Sequence, residues 1–206
     1  MTTRDLLDKA IDACEKLKDV EYRIVVGKNN VETEILLSFP VNRFSHMMGF
    51  HKLKDINYLN CDERNKERIY EAVLSNRWGL RDKISGSAFI ESIVPRFRAV
   101  GRLEDYLDHN EEVYYSKPNY FNHFSHIAYD FALHVIDEGN CVSFYFIRET
   151  EINGLAKYVV VSAFENEMPQ GHCRRPYTLL KKGKINKITG ATTLLYDYNK
   201  NTPSKP

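Results

Sequence analysis

Apolar residues recur along this chain with two different periods, and the change of period divides it. Over residues 4–18, Leu6, Leu7, Ala10, Ile11, Cys14 and Leu17 return every three or four positions. That is the spacing of one buried helix face, and Thr3 stands where a cap belongs. Residues 22–26 and 33–39 are short β-branched and apolar runs separated by Gly27-Lys28-Asn29-Asn30, which predicts a hairpin. Helical spacing returns over residues 62–78, with Ile69, Ala72, Val73 and Leu74 inside, charge outside and Gly79 placed to end it. A third helical stretch covers residues 87–107, where Pro95 predicts a kink or two pieces.

Beyond Pro118 the pattern changes. Residues 119–126 are aromatic and polar, and strands are expected at 127–136, 142–148, 157–164 and 177–181. The intervals are a turn at 137–140, a loop at 149–154 and a longer loop at 165–175. Short connections of this kind favour an antiparallel meander. The fold class is therefore α+β: N-terminal helices and a hairpin packed on a C-terminal antiparallel sheet. We read one domain over residues 1–185 with a helical insertion at about 62–110. Residues 186–206 form a polar tail, disordered from 199, with one apolar patch at Thr193-Leu194-Leu195-Tyr196.

Composition narrows the function classes. With 206 residues, 43% apolar and 28% charged, the chain is long enough for a sizeable core and has ordinary globular make-up. A formal net charge of +1 gives no global basic field, so any contact with nucleic acid must come from a local patch. No apolar run reaches the ~20 residues of a membrane span, and the first residues carry no secretory core, so a cytoplasmic protein without a membrane partner is expected. Cys14, Cys61, Cys141 and Cys173 are scattered and lack the paired spacing of structural zinc. Four free thiols are expected; only Cys173, beside His172, Arg174 and Arg175, has the cationic neighbours that activate a thiol.

The densest chemistry lies in Arg43-Phe44-Ser45-His46-Met47-Met48-Gly49-Phe50-His51-Lys52-Leu53-Lys54-Asp55. Phe44, Met47, Met48 and Leu53 define an apolar face, so this segment should be helical up to Gly49 and pack on the C-terminal sheet. On a straight helix His46 and His51 would diverge by roughly 140°. Gly49 between them supplies a bend or a stop. An ordinary packed helix with His46 bonded in the core remains an alternative.

His-Met-Met-Gly-Phe-His-Lys-Leu resembles the signature of the phage barnase–EndoU–colicin–RelE-like (BECR) nucleases of phages and mobile elements, in their fourth subgroup. Residues 143–147, Tyr158, residues 161–164 and residues 177–182 are similar to that family's C-terminal strands in order and spacing. The two matches span roughly residues 20 to 185. The resemblance implies RNA cleavage without a metal or other cofactor: a 2′-hydroxyl attacks the adjacent phosphorus and leaves a 2′,3′-cyclic phosphate. Such chemistry needs a base, an acid and a cation, and His46, His51 and Lys52 supply these residue types. Arg148 and Tyr177, on strands, would complete the catalytic set, with Arg43, Arg98 and Lys181 as substrate contacts.

Partners implied are RNA and an antitoxin or host protein. A non-catalytic RNA- or protein-binding module of a mobile element is the second reading, since 13 tyrosines and 11 phenylalanines serve base stacking as well as a core. A metal-dependent nuclease ranks third, because Asp55 is the only carboxylate close to the histidines. The discriminating feature is whether His46 or His51 lies within reach of Lys52 or Arg148 across a cleft, or both histidines are buried and a basic or aromatic surface stands elsewhere.

Overall fold

The computed structural model describes residues 1–59, 65–109, 112–115, 129–137, 140–152, 154–165 and 176–201. Cys61, most of the loop expected at 165–175, with Cys173, and residues 202–206 lie outside these. The first helix, α1 (Thr3–Leu17), is started one residue earlier than expected: Thr2 caps it, and Thr2 and Asp5 form a reciprocal capping box. Its apolar face, Leu7, Ala10, Ile11 and Leu17, is fully buried, each large side chain contributing about 1.5–3 kcal/mol by leaving water. Strands β1 (Val20–Lys28) and β2 (Val31–Ser38) form the hairpin. Asn29 and Asn30 both take positive φ, 52° and 62°, the two-residue turn whose twist matches the strands.

The expected helix at 62–78 is shorter and broken. Helix α2 comes earlier, at Phe44–Met47, and α3 is Lys66–Leu74. A tight turn at Arg77–Gly79 then leads into α4 (Leu80–Ser85). Asn76, Trp78 and Gly79 are left-handed, which no helix can propagate. Pro95 sits in the first turn of α5 (Val94–Gly101), where its missing N–H costs nothing, and so starts a helix instead of kinking one. Helix α6 (Leu103–His109) follows.

The remaining strands are β3 (Glu112–Tyr115), β4 (Phe131–Asp137), β5 (Asn140–Ile152), β6 (Leu155–Glu165), β7 (Pro176–Asn186) and β8 (Thr192–Asp197). The α+β class holds, and the hairpin is hydrogen-bonded into the C-terminal sheet. The order is β1-β2-β6-β5-β4-β3-β7, with β7 pairing back to β1, so seven strands curl into a closed ring and β8 adds to β7. Every pair is antiparallel except β2 with β6.

Residues 149–152, read as loop, extend β5, because Gly154 at φ +79° makes a turn tight enough for the hairpin arms to pair throughout. Likewise the tail expected from residue 186 begins with a strand: residues 192–197 return along β7, and Tyr198–Asn201 forms one helical turn, α7, where disorder was expected from 199. The main core joins α1, α3, α5 and α6 to the inner residues of the sheet, including Tyr22, Leu37, Phe131, Phe144, Phe146 and Val160. A smaller cluster of Ala132, Tyr145, Val159 and Val161 lies on the opposite side of β4–β6. Among the described residues, no helix is long and apolar enough to cross a membrane.

Candidate active site on a broken helix

The motif is laid out by where its helix stops. Pro40 caps a 3₁₀ turn at Val41–Arg43, which runs into α2. One helical turn later Met48 N–H donates to the Phe44 carbonyl at 2.9 Å and Gly49 N–H to the His46 carbonyl at 3.0 Å. Gly49 then turns left-handed at φ 77°, and Phe50–Lys52 restarts as a 3₁₀ turn. Glycine is required there twice over. Its φ disfavours any L side chain, and a Cβ would meet Arg96 Cδ at 2.8 Å and Ile93 Cγ2 at 3.0 Å.

Around this turn the apolar residues go inward: Phe44, Met47, Met48, Phe50 and Leu53 are buried. Phe44 packs edge-on to Phe50 and Tyr70, at 5.5 and 4.8 Å between ring centroids, and α2 lies against β6. His46 and His51 remain exposed. The turn cancels the divergence of a straight helix, and their rings stack at 5.0 Å with planes 16° apart. The core-histidine alternative for His46 is thereby corrected: packing selects the Phe and Met positions for burial and leaves both imidazoles outside.

Several cations act on His51. Partial desolvation, then the neighbouring His46, Arg96, Lys52 and Lys66, hold the His51 imidazole down to about 4, so it is neutral at neutral pH. Arg96 stands behind the turn. It is 5% exposed, donates from Nη1 to Ser162 Oγ on β6 at 3.2 Å, lies 3.5 Å from the His46 carbonyl oxygen, and sets its guanidinium 4.7 Å from the Phe164 ring centroid. A buried cation thus joins α5, the histidine turn and β6. Sequence spacing does not single out Arg96 as a site residue. Its signal was its position on the apolar stripe of Ile93, Phe97 and Val100, where a charge has no place without partners.

The other predicted residues are placed differently. Arg43 donates to Glu149 at 3.1 Å, tying the start of the motif to β5 beside Arg148. Arg148 is exposed, its backbone N–H bonds Asp130 Oδ2 at 2.7 Å, and its guanidinium pairs with Glu151. Arg148 is level with Tyr158 on β6. That is four residues, about 13 Å of strand, from the Ser162 level where the histidine turn is anchored. Tyr177 stands on β7, its ring 4.7 Å from Lys28 Nζ and 5.7 Å from Phe131, in an aromatic row inside the curl. Lys181 is exposed further along β7, and Arg98 pairs with Glu165 at 2.9 Å. The fold therefore brings His46, His51 and Lys52 together, ties Arg43 to Glu149, the chain neighbour of Arg148, and spreads Tyr177, Lys181 and Arg98 elsewhere. Among the described residues, no three His, Cys, Asp or Glu side chains converge as a metal site would require.

Neither curated proteins nor solved structures give a match to this chain. A family model does, over residues 6–200, which takes in most of α1, every element from β1 to β8 and the whole histidine turn. By that match the chain belongs to the family described as phage-Barnase-EndoU-ColicinE5/D-RelE like nuclease4.

Proposed function

We propose that this nuclease-family chain is a metal-independent endoribonuclease of a phage or mobile element, acting in the cytoplasm and cleaving by 2′-hydroxyl attack. The observation that carries the reading is the exposed His46–His51 stack with Lys52 beside it. Neutral His51 takes the 2′-hydroxyl proton as the O2′–P bond forms. His46, in its protonated form, gives a proton to the departing 5′-oxygen as the P–O5′ bond breaks. Lys52 holds the negative charge on the non-bridging oxygens. Two imidazolium charges 5.0 Å apart repel by about 1 kcal/mol in a water-like dielectric, which favours one acid and one base over two acids. The exposed ring edges let protons return to the starting arrangement through solvent. An arriving phosphodiester anion raises the basicity of His51 where it is needed. Arg43 and Arg148 serve in this reading as contacts to the strand, and Arg96 as a positioning residue. An antitoxin would then be expected to cover the histidine stack.

The test is cleavage of a labelled RNA by the purified chain in EDTA, with analysis of the product ends. Cyclic-phosphate termini are expected, with a kcat/KM that falls on the acid side as pH passes through about 4, the value of His51. His51→Ala and Lys52→Ala should each lower cleavage at least about 100-fold, roughly 2.7 kcal/mol of barrier. As exposed or half-exposed positions they should alter stability by no more than about 0.5 kcal/mol. Cleavage that needs added magnesium or manganese, or that survives both substitutions, would reject this mechanism.

A further inference from the structure

A second feature stands on the tight turn between α3 and α4. Trp78 is the one tryptophan of the sequence, and 61% of it is exposed. Its φ is +57°, between Asn76 at 48° and Gly79 at 63°. A bulky residue in the left-handed region is a genuine outlier, and such conformations persist only where the surroundings enforce them.

Here the enforcement is visible. Arg81 donates from Nε to the Val73 carbonyl at 2.7 Å and also bonds the Leu74 carbonyl, closing off the end of α3, while its backbone N–H donates to Asn76 Oδ1 at 2.9 Å. Asp8 on α1 holds Arg81 at 2.8 Å. The turn is thus fixed by polar contacts on its inner side, and its outer side is an indole turned to solvent.

That indole forms a wall of a cleft of about 570 Å³ lined by Ile56, Tyr58, Leu80, Lys83 and Ser87 among others. The Tyr58 ring meets Trp78 edge-on at 5.2 Å, and the Arg77 guanidinium sits 5.5 Å from the indole centroid. Asp55 also lines the cleft, but its carboxylate accepts from Ser87 Oγ at 2.7 Å and Ala88 N–H at 3.0 Å, which turns its oxygens toward the protein. Lys83, in the lining, and Arg77, over the indole, are both exposed and give the cleft its cationic edge. The opposite wall is the direct continuation of Lys52 through Leu53 and the hydrogen-bonded turns at Ile56 and Leu59, so four residues, at most about 13 Å of chain, separate Lys52 from Ile56.

We propose that the Trp78–Tyr58 cleft is a subsite for an unpaired base of single-stranded RNA, one that seats the strand beside the His46–His51–Lys52 turn. The inference takes its ligand from the nuclease reading and adds a substrate class to it. A flat aromatic face with a cationic rim is the surface that ssRNA requires, because every base has a face to stack and every linkage a charge to meet. A duplex hides those faces, so the subsite selects loops and single strands.

Because Trp78 is the sole tryptophan, the native chain carries its own probe. Intrinsic fluorescence is titrated with 2′-O-methyl oligouridine and oligoadenine, which lack the nucleophile and cannot be cleaved, and with the corresponding duplex. Saturable quenching by the single strands and not by the duplex is expected. In parallel, anisotropy of a labelled single strand should show about 10- to 100-fold weaker binding for Trp78→Ala, the usual worth of one stacked base, with Trp78→Phe retaining most of it. Thermal melts of both variants check the fold, and Trp78→Phe keeps the comparison valid if the alanine variant is unstable.

A wild-type chain that cleaves RNA yet shows no quenching, and no loss of affinity in either variant, would overturn the subsite while leaving the nuclease reading intact. Quenching by single strands in a chain that cleaves nothing would support the subsite and retire the nuclease reading. A fluorescence change caused by a bound protein, with none from RNA, would assign the cleft to that protein and overturn the proposal.

Discussion

Replacing Gly49 by alanine tests the one backbone feature on which the histidine stack depends. Two separate costs are expected. The left-handed φ of 77° charges an L residue about 1–2 kcal/mol. The new methyl would also lie 2.8 Å from Arg96 Cδ and 3.0 Å from Ile93 Cγ2, an overpacking worth about 1–3 kcal/mol. Arg96 cannot simply swing aside, because Ser162 and the Phe164 ring hold its far end. The sum is a destabilisation of about 2–5 kcal/mol, before a small offset from the stiffer unfolded chain.

Gly190 provides the control. It has nearly the same φ, 71°, and no described atom within 4 Å of where its Cβ would stand. Gly190→Ala therefore carries the backbone term alone. Urea unfolding of both variants, extrapolated linearly, measures the difference. Gly49→Ala should be less stable than Gly190→Ala by about 1–3 kcal/mol, or about 2–12 °C in Tm for a chain of this size. Equal losses in the two variants would mean that Gly49 is not pressed against Arg96. The account of how the turn brings the imidazoles together would then be wrong.

Two further outcomes follow from charge. Arg96→Met removes a cation that helps hold His51 down, so the His51 midpoint followed by NMR should rise from about 4 toward its ordinary value, and an unmoved titration would refute the coupling. His134, half-buried on β4 with Ser143 Oγ 3.0 Å from Nδ1, is held down to about 4 from 6.5 by desolvation. The unfolded chain therefore binds a proton that the folded chain refuses between pH 6.5 and 4, and stability should fall through that window by up to about 3 kcal/mol and level off below it. His134→Gln should flatten the slope seen in urea unfolding at stepped pH, while the exposed His51 contributes less in the same range; an unchanged slope would refute it.

Much of the fold could be read along the chain because its signals are local. The face of α1, the hairpin turn and the β-runs after residue 130 each declare themselves within a few residues, through period and turn chemistry. What sequence spacing could not give is closure. The pairing of β7 with β1, and of β2 with β6, joins segments more than a hundred residues apart, and neither strand carries a mark of its partner. Residues 149–152, polar but for Ile152, look like loop because strand patterns are read from burial, yet a hairpin arm reaching beyond the core satisfies its backbone by pairing. Pro95 marked the division of the stretch into pieces, but spacing alone left open a kink, because a proline's effect depends on whether it falls in a helix's first turn or its middle.

The candidate site divides along the same line. His46, His51 and Lys52 sit within seven residues, and Gly49 could be named as the bend because glycine is the residue type that most readily takes the left-handed backbone that reunites the rings. Arg148 and Tyr177 were expected to join them from the strands, but where a strand residue faces along a curled sheet depends on register and on bulges, and β5–β6 carries shifts at Tyr145/Phe146 and Arg148/Thr150. Arg96 was missed although its signal was present: an arginine on an apolar stripe must find partners or unfold the helix that carries it. Trp78 gave less, since a tryptophan after a helix is equally a core residue until its φ is known. Burial sorts the two arginine groups physically. Arg96 is buried behind the turn and close to His51, so ions screen it less, whereas Arg148 is exposed and screened within a Debye length of about 8–10 Å. Salt should therefore weaken contacts of the RNA strand with Arg43, Arg148 and the Trp78 rim far more than it alters the His51 titration.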